Sequence, residues 1–194
     1  MGVRREAARV HFDRLTTPRL LLRRLHAGDA RRLRESRIDP HAVRMQGWPG
    51  GWSLADAEGF VALNQRGEPG TPGAWFQFAL ADPADDALLG DVGLFSALDG
   101  STHRVGYTLH PDARGRGLAT EAVRAVLGLV FDELGGALVE ADTLAVNAAS
   151  RAVLERCGFQ LDERPERAVA ADEVAYLLRR PADGAPGTLS PPSR

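Results

Sequence analysis

Between Asp112 and Val123 the chain reads DARGRGLATEAV, which sets Arg114, Gly115, Arg116 and Gly117 directly ahead of a run with helical spacing. Glycines at such a point let the backbone turn with its N–H groups outward, at a helix end whose dipole favours an anion. Arg114 and Arg116 add charge that can pair with phosphate oxygens, and Thr120 adds a hydroxyl from the first helical turn. Taken alone, the same residues also read as glycines that end a strand beside solvated arginines.

Other phosphate-binding loops can be compared with this one. A GxxxxGK[ST] loop is absent, and the chain contains no lysine to serve one. The dinucleotide fingerprint GxGxxG matches Gly115 and Gly117 but meets Thr120 where its third glycine belongs. Glu140 or Asp142 could imitate the ribose-binding acid of that motif. The strands ahead of it read as antiparallel, which leaves dinucleotide binding as the runner-up.

The elements that must hold this turn follow from the hydrophobic period. Thr17 to Leu25 reads as a first strand, and Asp29 as the cap of a short helix. A second helical region runs through DPHAVRMQ, breaks at WPGG and restarts at Ser53 in SLADAE. AWFQFALAD, ALLGDVGLFSAL and HRVGYTLHP are strands separated by short turns, an antiparallel meander. From Ala119 the apolar positions run at spacings of three and four to Leu134, with Gly135 and Gly136 as the stop. ALVEADTLAV follows as a strand and NAASRAVLERCG as a helix, capped by Asn147 and stopped by Gly158. FQLDE and EVAYLLRR close the order as strands. This predicts a mixed α/β (α+β) layer rather than a doubly wound sheet.

The chain has 194 residues, 44% hydrophobic and 26% charged, enough for one core of ordinary size. Residues 1–14 and 181–194 read as tails around a domain at 15–180. The formal charge of -2 gives no broad positive field, so nucleic acid is not an expected partner. No apolar run approaches the roughly 18 residues of a membrane span, and the amino terminus lacks a signal-peptide core. Cys157 is the single cysteine and has no partner for a disulfide, which places the chain in a reducing, cytoplasmic setting.

RGRGLA from Arg114 fits RxxGxA and resembles the pyrophosphate-binding signature of the GCN5-related N-acetyltransferases (GNAT). The similarity covers about residues 15 to 180. TTPRLLLRRL, DPHAV, VGYTLHPDARGRGLATEAV and VNAASRAVLERCGF together resemble the branch that acetylates ribosomal-protein amino termini, the RimJ/RimL-like enzymes. The resemblance implies a central, mostly antiparallel mixed sheet of six to seven strands, splayed between the fourth and fifth, with helices on both faces. It implies acetyl-CoA as donor, no metal, and an amine acceptor attacking directly in a ternary complex.

Carried onto this chain, the resemblance lays the pantetheine arm along the backbone of Tyr107, Thr108 and Leu109. It seats the pyrophosphate on Arg114, Gly115, Arg116, Gly117, Leu118, Ala119 and Thr120. A backbone N–H of the same strand would meet the acetyl oxygen. Asn147 would bond the arm, and Ser150 would protonate or help protonate the leaving thiolate. The bland readings are a helix cap for Asn147 and a polar first-turn residue for Ser150; for Asn147 both can hold. Relatives often carry a Tyr seven residues after this Asn, where Leu154 stands here, and an acid just before GY, where Arg104 stands. Glu140 is the candidate base, with Asp142, His103 and His110 as other candidates; a water relay could serve instead. Trp48, Trp52, Trp75 and Phe76 could line the acceptor pocket or anchor the core. Peptide amino termini, aminoglycoside-like amines and small metabolites stay open, as do monomer and homodimer. A non-catalytic CoA- or nucleotide-binding module of the same fold is the alternative.

Overall fold

The computed structural model describes residues 11–164 and 169–181. Most of the two expected tails lies outside the described residues. Packing reaches back to Phe12, buried edge-on against Phe76 and Phe78 ahead of the boundary expected at 15.

Eight strands form one sheet in the order β1-β2-β3-β4-β5-β6-β8-β7. They are β1 Arg14–Thr16, β2 Leu21–Arg24, β3 Ala74–Ala81, β4 Leu88–Ser96, β5 Thr102–Leu109, β6 Leu138–Leu144, β7 Gln160–Leu161 and β8 Glu173–Arg179. The count exceeds the expected six to seven because β1 forms a hairpin with β2 from residues ahead of the strand expected at Thr17–Leu25. Pro18 sits in its turn, where the Thr17 N–H and Oγ1 both bond the carbonyl of Leu20. All pairings are antiparallel except β5 with β6.

That parallel pairing is short. Thr102, His103 and Arg104 pair with Leu138, Val139 and Glu140, and there the ladder stops. Beyond it Val105–Leu109 and Ala141–Leu144 face each other without pairing, so two backbone edges are left open. This is the expected splay. Buried backbone polar groups need partners, so such a notch is suited to an extended polar ligand.

Helices cover both faces. Alternation along β3 to β5 puts Phe76, Phe78, Leu80, Val92, Leu94 and Val105 on one face. They bury against α4 (Leu118–Gly128) and α5 (Ala148–Arg156), whose Leu118, Ala122, Val123, Val126 and Leu154 complete the main core. The opposite face packs Ala79 under α1 (Ala30–Ile38) and α3 (Leu54–Asn64) through Leu33, Ala57 and Val61. Between those two helices, α2 (Pro40–Gln46) starts with Asp39 capping the Ala42 N–H at 2.8 Å and ends at left-handed Gly47.

Two predicted caps part company. Ser53 caps α3 as read, in a reciprocal box with Asp56. Asp29 makes no side-chain cap to α1, because its buried carboxylate is taken by Arg23 at 2.8 and 2.9 Å and by the His26 N–H at 2.9 Å. The long helix also ends differently: after Gly128 it widens into a π-turn over Leu129–Glu133 before Gly135 stops it in a left-handed conformation.

Candidate functional site

The turn from β5 into α4 is built by two left-handed glycines, Gly115 at φ 72° and Gly117 at φ 77°. Gly117 stands at the N-cap with no side chain to offer, and the first helical bond is Glu121 N–H to Gly117 O at 3.2 Å. The amide hydrogens of Leu118, Ala119 and Thr120 therefore precede the ladder of the helix. Beside them the Thr120 hydroxyl oxygen is buried without a hydrogen-bond partner among the described residues. An orphaned buried hydroxyl next to three amides fits a polyoxygen anion and is costly without one.

Glu121 braces this turn from behind. It accepts from Thr17 Oγ1 at 2.6 Å, Arg19 N at 2.9 Å and Arg19 Nε at 2.7 Å, while Arg19 Nη1 reaches Arg116 O at 2.7 Å. Burial works to raise the Glu121 pKa, yet the bonds from Thr17 and Arg19 hold its carboxyl below the usual carboxylate range. The hairpin of β1 and β2 is thereby tied to the turn that opens α4.

A cleft of about 360 Å³ runs from this turn along the open edge of β5 to the start of α5. It collects ten of the residues singled out in the sequence: Tyr107, Thr108, Leu109, Arg114, Gly115, Gly117, Ala119, Thr120, Asn147 and Ser150. Leu118 turns its side chain into the core, and Arg116 projects outward. Arg114 borders the cleft, but its guanidinium is engaged by Asp39 at 2.8 Å and by Leu109 O at 3.2 Å. It ties α2 to the turn.

At the far end Asn147 caps α5, its Oδ1 accepting the Ser150 N–H at 3.1 Å. Ser150 Oγ lies 2.9 Å from the Tyr107 hydroxyl, which also donates to Ser150 O at 3.0 Å. Burial, the largest influence, pushes the phenol well above its ordinary value, so Tyr107 keeps its proton. Leu154 is fully buried one turn on and brings no polar group.

The candidate bases are placed apart from this pair. Glu140 and Asp142 alternate with the buried Val139 and Ala141, so both face away from α4 and α5. Arg164 holds Glu140 at 2.7 Å, and Arg104 approaches Asp142 at 3.8 Å across the splay. His110 bonds Asp112 at 2.6 Å and Glu35 at 3.2 Å. His103 lies in the core against Ser96 Oγ at 3.0 Å. Of the aromatic residues, Phe76 belongs to the core and Trp75 is half-exposed beside Phe95. Trp48 and Trp52 stack on the Arg37 guanidinium, at 4.3 and 5.8 Å.

What the sequence did not flag is the third wall. His41, Met45 and Gln46 of α2 line the cleft, and the Gln46 carboxamide donates to Tyr107 O at 2.9 Å and Thr108 Oγ1 at 3.1 Å. Nothing local to PHAVRMQ marks these contacts. Among the described residues no helix is long and apolar enough to cross a membrane, and no group of three or more His, Cys, Asp or Glu is placed to hold a metal ion.

Comparison with known proteins agrees with this geometry. The profile of the acetyltransferase (GNAT) domain matches residues 19–160. Probable N-acetyltransferase YjcK of Bacillus subtilis is 38% identical over 86 residues, 43% of this chain; the chain spans about half of that relative, 48%. The [ribosomal protein uS5]-alanine N-acetyltransferase of Escherichia coli is 27% identical over 158 residues, 76% of this chain and 78% of that protein. Among solved structures, spermidine N-acetyltransferase from Vibrio cholerae, in complex with CoA and spermine, shares the fold. Its TM-score is 0.70 at 18% identity, over 84% of this chain and 97% of that one.

Proposed function

The chain belongs to the acetyltransferase (GNAT) domain family, and from that premise we propose that it transfers an acetyl group from acetyl-CoA to a primary amine, by direct attack in a ternary complex. The observation that carries this reading is a single cleft with a different chemistry at each end. One end offers the α4 amides and the orphaned Thr120 hydroxyl; the other offers the Ser150 and Tyr107 hydroxyls; the open β5 edge joins them.

The donor's diphosphate would sit on the amides of Gly115 to Thr120, and its amide-rich arm would pair with the edge of β5 and with Asn147. A backbone N–H on that edge would meet the thioester oxygen as charge builds there. The amine nitrogen bonds the acetyl carbon, the carbon–sulfur bond breaks, and the electron pair leaves on sulfur beside Ser150. Ser150 hydrogen-bonds that sulfur. The proton lost by the amine balances the one gained by the thiol.

The amine would approach from the face that carries Arg104, Glu140 and Asp142. For Glu140 to act as base, Arg164 would have to release it. An α-amine with an ordinary pKa near 8 is partly neutral at pH 7, so passing its proton to water needs no such opening. Protein amino termini and small-molecule amines both satisfy this chemistry.

The test is thiol release from acetyl-CoA against a panel of peptides and small amines, with products identified by mass. A mass gain of one acetyl group on an amine supports the proposal. Donor binding without release for any acceptor would reduce the chain to a binding module.

A further inference from the structure

We propose that Tyr107 is a positioning residue for the leaving thiolate, holding the Ser150 hydroxyl so that its hydrogen points into the cleft. The inference rests on the acetyl-transfer reading above and gives its sulfur end a second participant. Tyr107 enters from β5 and Ser150 from the first turn of α5, 43 residues apart, with their hydroxyl oxygens 2.9 Å apart. Each is fixed independently. The Ser150 backbone is held by the Asn147 cap, and Tyr107 is held in β5 opposite Val92 of β4.

Two hydrogens serve this pair. The Tyr107 hydrogen has two acceptors, Ser150 O at 3.0 Å and Ser150 Oγ at 2.9 Å. When it rests on the carbonyl, the Ser150 hydrogen can rest on the Tyr107 oxygen, and both are satisfied within the protein. When it turns to Oγ, the Ser150 hydrogen is released toward the cleft. A sulfur gaining negative charge there selects the second arrangement, because a hydrogen bond to a charged acceptor outweighs a neutral one. Only two hydroxyls rotate. Burial keeps the phenol protonated, so Tyr107 supplies a hydrogen bond and no proton changes hands between the residues. The thiolate's proton derives from the attacking nitrogen, and no further reactant is required.

Steady-state kinetics of Tyr107→Phe, Ser150→Ala and the double variant test this in the full chain, with CoA titration of each variant as the folding control. Tyr107→Phe should lower kcat about tenfold with KM for acetyl-CoA within about twofold. In the Ser150→Ala background it should cost nothing more. The same loss in both backgrounds, or a loss confined to KM, would mean that Tyr107 merely packs α5 on β5 and would overturn the inference. Should Tyr107→Phe fail to fold, 3-fluorotyrosine at 107 keeps the shape and hydroxyl but makes the donor more acidic. It should change kcat at least about twofold in the presence of Ser150 and not in Ser150→Ala; an unchanged kcat overturns the inference. If the wild type acetylates no amine, it is the acetyl-transfer reading that fails.

Discussion

The carboxamide nitrogen of Gln46 lies 2.9 Å from the carbonyl oxygen of Tyr107, on the stretch of β5 that has lost its partner strand. A side chain from α2 thus takes the place that an extended ligand would use. Binding of the donor arm has to compete with it, so Gln46→Ala should bind CoA about fivefold more tightly, the worth of one neutral hydrogen bond. Calorimetric titration of both proteins with CoA checks this. Weaker binding by the variant would show that Gln46 helps hold the arm.

Gly117 is both the N-cap of α4 and a left-handed residue at φ 77°. Any other side chain strains the backbone there by about 1–2 kcal/mol and crowds the seat that the proposal gives to the diphosphate. Gly117→Val should lower the melting temperature by several degrees and weaken CoA binding at least about tenfold. Thr120→Val removes only the orphaned hydroxyl. It should leave stability equal or higher while weakening CoA. If Thr120→Val loses stability without losing affinity, the diphosphate assignment is wrong.

Why some of this could be read from the sequence and some could not is a matter of distance along the chain. DARGRGLATEAV is legible because glycine conformation, helix period and dipole act within a dozen residues, and the Asn147 cap spans only three. The contacts that turn these pieces into a site join residues 43 apart (Tyr107 and Ser150), 61 apart (Gln46 and Tyr107) and 75 apart (Arg114 and Asp39). Arg114 shows the effect most plainly. Its charge beside two glycines suggested a phosphate ligand, yet a carboxylate 75 residues upstream has claimed it. The β1 strand, ahead of the one expected at Thr17 to Leu25, escapes the sequence for another reason: at three residues it is too short to show a period.

A buried ion pair joins α1 to β4 beneath Trp48. Arg37 Nη2 lies 2.7 Å from Asp91 Oδ2, Gln77 also bonds that oxygen, and Trp48 covers the guanidinium at 4.3 Å. Removing one partner strands the other charge away from water. Asp91→Ala should therefore lower unfolding free energy by about 3–5 kcal/mol, whereas the paired replacement Arg37→Met with Asp91→Leu should recover most of it. Urea unfolding of the three proteins decides. A loss below about 1 kcal/mol for Asp91→Ala would show that the pair is hydrated in solution.

His103 sets a dependence of stability on pH. Its ring is buried on the core face of β5, with Nδ1 against Ser96 Oγ and Nε2 without a partner among the described residues. Burial lowers its pKa below the ordinary 6.5, and the opposing pull of Asp99 does not restore it. The folded ring therefore stays neutral at pH values where the unfolded chain has already bound a proton. In that window the unfolded state holds more protons, so stability falls as the pH drops through about 6.5 toward the lower folded value. The carboxylates act later. Asp39 and Glu121 have folded pKa values below their ordinary ones, so their contribution persists above roughly pH 4 and is lost only on further acidification. His103→Asn keeps a group able to bond Ser96 but cannot titrate. Its urea midpoint should decline less than that of the wild type between about pH 7.5 and 5.5. Subtracting one profile from the other cancels the remaining histidines, which are common to both. Parallel profiles would mean that the folded protein accepts the proton on His103, and that the core opens there far more readily than its packing implies.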